Sequence, residues 1–305
     1  MYDVLIIGTG TAGLTASLYA NRAGLSVLMV EKMLYGGQIL NTPLIENYPA
    51  LDKVSGFEFV QKLYEQAVTQ FDTPVVFGNV ESCSLSGKVK IVTVGGTVYE
   101  AKTVIIATGA EHRKLGCPGE DTLSGKGVSY CATCDGAFFR GKTVAVVGGG
   151  NTALQDAQYL ANASEKVYLI HRRDSFRATP IEVEHALSRA NVEPVYDTVV
   201  ESINGTDKVE SLTVKNKKTG ETSTLTVDGV FIAAGNVPDN QVFAGELELD
   251  PQGYLVAGED CKTRISGVYA AGDTRTKQVR QLVTAAADGA VSAEMALEYI
   301  NNLDS

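Results

Sequence analysis

The sequence predicts an α/β protein made of two similar parallel-sheet units, the second inserted into the first. Three observations lead there. A β-branched apolar run, a glycine-rich turn and a helix-like stretch open the chain in that order, and the same order recurs about halfway along. Each copy then runs into a second apolar strand whose end lies 23 residues beyond the first glycine of its turn. A further apolar run near residue 268 is followed by a long amphipathic stretch and no new glycine turn, so the chain returns to its first unit.

In the first copy, Tyr2-Asp3-Val4-Leu5-Ile6-Ile7 reads as a strand, and Gly8-Thr9-Gly10-Thr11-Ala12-Gly13 as the turn. A helix is expected from Leu14 to Ala23, stopped by Gly24. The next strand, Ser26 to Val30, ends at Glu31, the distance at which an acid reaches a ribose hydroxyl in a dinucleotide fold. A lone G-x-G-x-x-G is weak evidence, but here its whole strand, turn, helix and acid context is present. A Rossmann-like dinucleotide-binding domain is therefore expected, with Gly8, Gly10, Gly13 and Glu31 facing the ligand.

The second copy has its strand at Thr143 to Val147, its turn at Gly148-Gly149-Gly150-Asn151-Thr152-Ala153 and a helix to about Ala161. Its second strand, Lys166 to Ile170, ends not at an acid but at His171-Arg172-Arg173, with Arg177 close behind. An acid repels a 2′-phosphate, whereas arginines bind one through charge-assisted, often bidentate hydrogen bonds. This site should prefer NADP to NAD, the bland alternative being a solvated basic face at a strand end.

Each unit closes with a similar buried strand, Thr103 to Ala110 and Gly229 to Asn236. The run Gly267 to Asp273 and the amphipathic stretch from about Gln281 to Ile300 complete the first unit. The expected domains are 1–112, an insertion at 113–242, and 243–305, with crossings where Gly116, Pro118, Gly119 and Pro238 interrupt regular structure.

With 305 residues and 44% apolar content, the chain has enough material for two cores. Its 36 acidic and 26 basic residues give a net charge of −10, which disfavours nucleic acid or an anionic membrane as partner. The opening MYDVLIIGTG offers no basic segment and only a short apolar run before glycine, so neither a signal peptide nor a spanning helix is expected there, and a cytoplasmic location is.

Five cysteines are present. Cys83, Cys117 and Cys261 are scattered singly and read as small core or surface residues. Cys131 and Cys134 form a C-x-x-C followed by Asp135, in the stretch SYCATCDG. Zinc wants four ligands, and no second ligand pair is in view, so no metal is expected. A static clip closing so short a loop removes little chain entropy. On the residues alone a structural clip and redox chemistry both stay open, with Asp135 either an acid–base group or a plain turn or capping residue.

Taken together, CATCD, GGGNTA, HRRDSFRA, the early Gly36-Gly37-Gln38 and the late AAGD with Arg280-Gln281 resemble the low-molecular-weight NADPH thioredoxin reductases, from the first strand to the last helix. The resemblance implies FAD in the first domain, NADPH in the second, and a homodimer. It implies that Gly8, Gly10 and Gly13 face the FAD pyrophosphate and Glu31 its ribose, with Gln38 and Asn47 on the flavin side. Thr108, Gly109, Gly272 and Asp273 would complete the FAD site, and Arg280 and Gln281 would lie near the flavin ring. Gly148, Gly150, Asn151, Thr152 and Ala153 would hold NADPH, with His171, Arg172, Arg173 and Arg177 at its 2′-phosphate. Cys134 would be the sulfur beside the flavin, Cys131 the nucleophile toward thioredoxin or a thioredoxin-like disulfide protein, and Asp135 the acid and base. Two departures from the family pattern stand out, Thr11 for its usual Pro and Ala50 for its usual Gly. The alternatives are a flavin-dependent dithiol oxidase, for which the arginines have little use, a reductase of another disulfide carrier, and a non-catalytic NADP(H) sensor, which needs none of Cys131, Cys134 and Asp135.

Overall fold

A computed structural model describes residues 1–42 and 44–303. It divides into two compact units, Met1–Glu111 with Val237–Ser305, and His112–Asn236. From the N-terminus the chain forms β1 (Tyr2–Ile7), α1 (Thr11–Arg22), β2 (Val27–Glu31), α2 (Gly56–Ala67), β3 (Val75–Phe77), β4 (Val80–Ser84), β5 (Lys90–Val94), β6 (Thr97–Ile106) and β7 (Ala110–His112). The inserted unit then runs β8 (Val128–Ser129), α3 (Ala132–Asp135), β9 (Thr143–Gly148), α4 (Asn151–Ala161), β10 (Lys166–Ile170) and α5 (Pro180–Leu187). It continues with β11 (Val192–Val195), β12 (Thr198–Asn204), β13 (Ser211–Asn216), β14 (Thr222–Thr226) and β15 (Gly229–Ala233). The chain returns through β16 (Asn236–Pro238), β17 (Val268–Ala270) and α6 (Leu282–Leu303). The two crossing strands, β7 and β16, pair with each other.

The first unit is organised by a seven-stranded sheet in the order β3-β2-β1-β6-β5-β4, with β17 also on β6. Strand β6 is long enough to serve two neighbourhoods. Its first half pairs antiparallel with β5, and its second half, Thr103 to Ile106, lies parallel between β1 and β17. Those central strands are buried on both faces, which is why their sequences are continuous apolar runs without alternation. One face packs on α1 and α6 through Leu14, Ala16, Ala293 and Ala296, all essentially inaccessible to solvent.

The second unit repeats the plan with a five-stranded parallel sheet, β11-β10-β9-β15-β8, and adds the antiparallel β12-β13-β14. Leu154, Ala157 and Leu160 seat α4 against β9 and β10, giving it the helical spacing of an amphipathic face.

Some boundaries differ from those read in the sequence. The first helix starts at Thr11, inside the glycine turn, because Gly10 is its N-cap and Thr11, Ala12 and Gly13 are its first turn. Strand β6 runs from Thr97 to Ile106 and stops short of Ala110, since Gly109 takes φ +72°. Helix α6 extends to Leu303.

Candidate active site

The first glycine turn shows a division of labour. A Cβ on Gly8, whose φ is +105°, would stand 2.3 Å from the Ala107 carbonyl oxygen, and one on Gly13 would stand 1.9 Å from that of Gly8. Both glycines are therefore needed by the protein's own backbone. Gly10 is different: it caps α1 with φ −73° and has nothing within 4 Å of a Cβ. No side chain caps α1, so its first N–H groups have no capping partner, an arrangement suited to a pyrophosphate. Glu31 bends back to the turn, its Oε2 accepting from the Thr9 N–H at 3.0 Å and the Thr9 hydroxyl at 2.5 Å.

In the same unit the structure brings together residues distant in sequence. The Gln38 amide donates to the Ala110 carbonyl, and that of Asn47 to Gln281 Oε1 at 3.1 Å. Thr108 and Thr274 share the side-chain oxygen of Asn240 at 3.1 and 2.7 Å. Asn240 is fully buried and donates onward to the carbonyls of Gly253 and Thr274. Gly272 and Asp273 lie in a short 3-10 turn held by Asp288, whose Oδ2 accepts from the Gly272 N–H at 2.8 Å. Asp288 also accepts from Arg275, twice at 2.8 Å, and from Lys277 at 2.9 Å. Burial would push the Asp288 carboxyl up, but these donors hold it below its usual range. The Arg280 guanidinium lies 4.1 Å over the Tyr254 ring, and its buried Nε has no protein partner among the described residues. Asn240, Thr274, Arg275, Lys277 and Asp288 are supports that the sequence reading missed.

The second turn repeats the geometry with different chemistry. A Cβ on Gly148 would meet the Ala233 carbonyl at 2.5 Å, and one on Gly149 the His171 ring at 2.1 Å, whereas Gly150 faces open space as the uncapped N-cap of α4. Asn151 Oδ1 accepts from the Thr179 N–H at 2.8 Å, and the Arg177 N–H donates to the Gly149 carbonyl at 2.7 Å. Thr152 is exposed and Ala153 buried in the first turn of α4. His171 is buried, not solvent-facing, and its ring hydrogen-bonds to the Gly148 backbone. Burial first, then Arg177, Arg172 and Arg173, lower its pKa, so the ring is neutral near pH 7. Its Nε2 has no protein partner among the described residues. Arg172, Arg173 and Arg177 are exposed, and none forms an ion pair among the described residues. A buried neutral donor or acceptor beside three uncommitted cations suits an anionic nucleotide substituent.

In the same unit, Cys131 and Cys134 are joined by a disulfide with their Cα atoms 5.3 Å apart. Cys131 is the N-cap of α3, with both cysteines half-buried. Asp135, at the end of α3, makes no capping bond: its Oδ2 accepts from the Ser129 hydroxyl at 2.6 Å. Burial raises the Asp135 pKa, and the Ser129 hydrogen bond partly offsets it. Cys83, Cys117 and Cys261 remain free, with burial pushing their thiols up, to about 11 for Cys83 and about 12 for Cys261, so none is poised to react. Among the described residues no group of three His, Cys, Asp or Glu side chains could hold a metal, and no helix is long and apolar enough to cross a membrane.

This geometry matches known proteins along its whole length. The family model of the pyridine nucleotide-disulphide oxidoreductases matches residues 2–289. A thioredoxin reductase of Listeria innocua is 43% identical over 304 residues, covering 99% of this chain and 95% of its own. One from Treponema pallidum is 42% identical over 305 residues, covering 100% and 99%. The crystal structure of a thioredoxin reductase from Streptococcus pyogenes superposes with a TM-score of 0.94 at 43% identity, covering 99% of both chains. The chain belongs to the pyridine nucleotide-disulphide oxidoreductase family.

Proposed function

We propose that the chain is an NADPH-dependent thioredoxin reductase in which the first unit holds FAD, the second holds NADPH, and Cys131–Cys134 is the disulfide that passes electrons on. The observation that carries this reading is the Cys131–Cys134 bond, set in the same unit as an arginine-flanked glycine turn, in a chain that shares 43% identity with a thioredoxin reductase. Gly10, Glu31, Asp273 and Arg280 contact FAD, the Gly8 and Gly13 backbones shaping the turn. Gly150, His171, Arg172, Arg173 and Arg177 contact NADPH, the arginines at its 2′-phosphate. FAD supplies the two-electron relay between NADPH and the disulfide.

The protein's own chemistry is thiol–disulfide exchange. In the dithiol form, the Cys131 thiolate attacks one sulfur of the thioredoxin disulfide, forming a mixed disulfide and releasing the other sulfur as a thiolate. Cys134 then attacks Cys131 Sγ, the partner leaves as a dithiol, and the Cys131–Cys134 bond closes again. Asp135 takes the proton from the attacking thiol and returns one to the departing sulfur. The protein works as a homodimer in the cytoplasm, its partner a thioredoxin and not nucleic acid or a membrane.

NADPH consumption with an oxidised bacterial thioredoxin tests the reading. The expected result is consumption that depends on thioredoxin and disappears in Cys131→Ser. Equal consumption without thioredoxin, drawn by oxygen, would instead favour an oxidase. Sedimentation of the flavin-loaded protein should give a mass of two chains, and a monomer would contradict the dimer.

A further inference from the structure

Ser129 was singled out by no motif, yet its hydroxyl stands at the centre of the redox segment. It is 5% exposed, at the end of β8, two residues before Cys131. Its Oγ donates to Asp135 Oδ2 at 2.6 Å, accepts from the Cys131 N–H at 3.1 Å, and lies 3.3 Å from the Cys131 carbonyl oxygen as a second acceptor. A hydroxyl has one hydrogen and two lone pairs, so these three contacts can be apportioned for either state of Asp135. When Asp135 is ionised, Ser129 gives its hydrogen to the carboxylate. When Asp135 is protonated, the acid O–H donates to Ser129 Oγ, and the serine hydrogen turns to the Cys131 carbonyl. The Cys131 N–H is accepted in both states. No member of the group is left unpaired by the proton's arrival, which matters because an unsatisfied buried polar group is costly.

We infer that Ser129 is a positioning residue that lets Asp135 carry a proton reversibly while holding the Cys131 peptide in place. The inference rests on the proposed role of Asp135 and goes beyond it. The proton itself moves between a cysteine sulfur and the Asp135 carboxyl; Ser129 keeps its own hydrogen and changes only its hydrogen-bond partners. Among the described residues, no charged side chain figures among the causes that act on the Asp135 carboxyl. Burial and the Ser129 bond are the two causes acting on the Asp135 carboxyl. On α4, the helix packed against α3, the titratable side chains are Asp156 and Tyr159, and neither figures among those causes. Beyond α3 the chain carries Arg140 and Lys142, and neither figures among those causes.

The test is the pH profile of single-turnover oxidation of the flavin-loaded, dithiol-form protein by an oxidised bacterial thioredoxin, for wild type, Ser129→Ala, Asp135→Asn and the double variant. Losing the serine donor leaves burial unopposed, so Asp135 holds its proton to higher pH, and the rate falls earlier on acidification. The acid limb of Ser129→Ala should move up by about one pH unit. Asp135→Asn should lose that limb, and the double variant should match it. The protonated-carboxyl infrared band of the oxidised protein gives a second reading, with the Asp135 component persisting to higher pH in Ser129→Ala. If Asp135→Asn loses the limb while Ser129→Ala leaves limb and band unmoved, the Ser129 inference is overturned and the role of Asp135 stands. If Asp135→Asn keeps the limb, the role of Asp135 falls and the inference with it.

Discussion

The two glycine turns share a backbone and differ in what surrounds it. In each, one glycine faces open space at an uncapped helix N-terminus while its neighbours are pressed against carbonyls or a ring. At the end of the following strand, the first turn has Glu31, already bound to Thr9, and the second has buried His171 beneath exposed arginines. The helices differ too. α1 is covered by α6 and buries most of its residues, whereas α4 leaves its outer face wet. The shared part is a backbone geometry that suits a pyrophosphate; in the proposed reading, the nucleotide selectivity resides in the side chains beyond it.

The comparison makes the disulfide the feature with no counterpart in the first unit, and its removal should have the largest effect. Cys131→Ser or Cys134→Ser should drop thioredoxin reduction to background while NADPH still reduces the flavin, as stopped-flow absorbance would show. Residual turnover near wild type would mean that electrons leave by another route.

Within the turns, Gly13→Ala and Gly10→Ala should separate structure from ligand. The first forces a Cβ against backbone at 1.9 Å and should cost several kcal/mol of stability as well as flavin. The second meets nothing within 4 Å, so thermal unfolding of the flavin-free protein should change by no more than about 1 kcal/mol while flavin is lost. Equal destabilisation by both would refute the division of labour.

Arg172→Ala with Arg173→Ala should weaken NADPH by about 3 kcal/mol, roughly a hundredfold, and leave NADH nearly unchanged. Calorimetry with both nucleotides checks this, and equal losses would remove the 2′-phosphate assignment.

A smaller effect concerns α4. Where α1 has fully buried Ala16, the matching position of α4 is Asp156, whose carboxyl burial pushes up to about 7. A carboxyl raised on folding contributes least harm below its unfolded value near ~4, and stability is lost as pH rises toward 7. Asp156→Asn should therefore match wild type near pH 4 and exceed it by about 1–2 kcal/mol at pH 8. Chemical denaturation at the two pH values reads the difference, and parallel pH profiles would contradict it.

Much of this comparison was legible in the sequence because glycine turns and buried parallel strands leave local, ordered signatures. The departures were informative as well. Thr11 proves to be the first residue of α1, a position where proline is also accepted, so the exchange is mild. Ala50 takes φ +67°, the left-handed region that glycine occupies freely. Ala50→Gly should stabilise the protein by about 1 kcal/mol, the smallest of these effects.

The supporting polar groups were not legible. Asp288 lies within α6, and its partners Gly272, Arg275 and Lys277 come from the loop before it, so no periodicity marks the cluster. Asn240 reaches Thr108 across 132 positions of sequence. Ser129 sits beside a conspicuous motif but looks like any strand-end serine until its three contacts are seen. His171 lies buried against Gly149, a close approach that only glycine allows and that no sequence periodicity marks. Chain order carries the local turn, while long-range polar pairing is decided by packing.

The most direct test of the account is an anaerobic titration of the flavin-loaded protein with NADPH, followed by flavin absorbance, beside the Cys134→Ser variant. Wild type should take up more than one two-electron equivalent before the flavin is fully bleached, and the variant only one, because the disulfide is the second acceptor. A flavin that stays oxidised under NADPH, or identical uptake by both proteins, would contradict the path from nucleotide to disulfide.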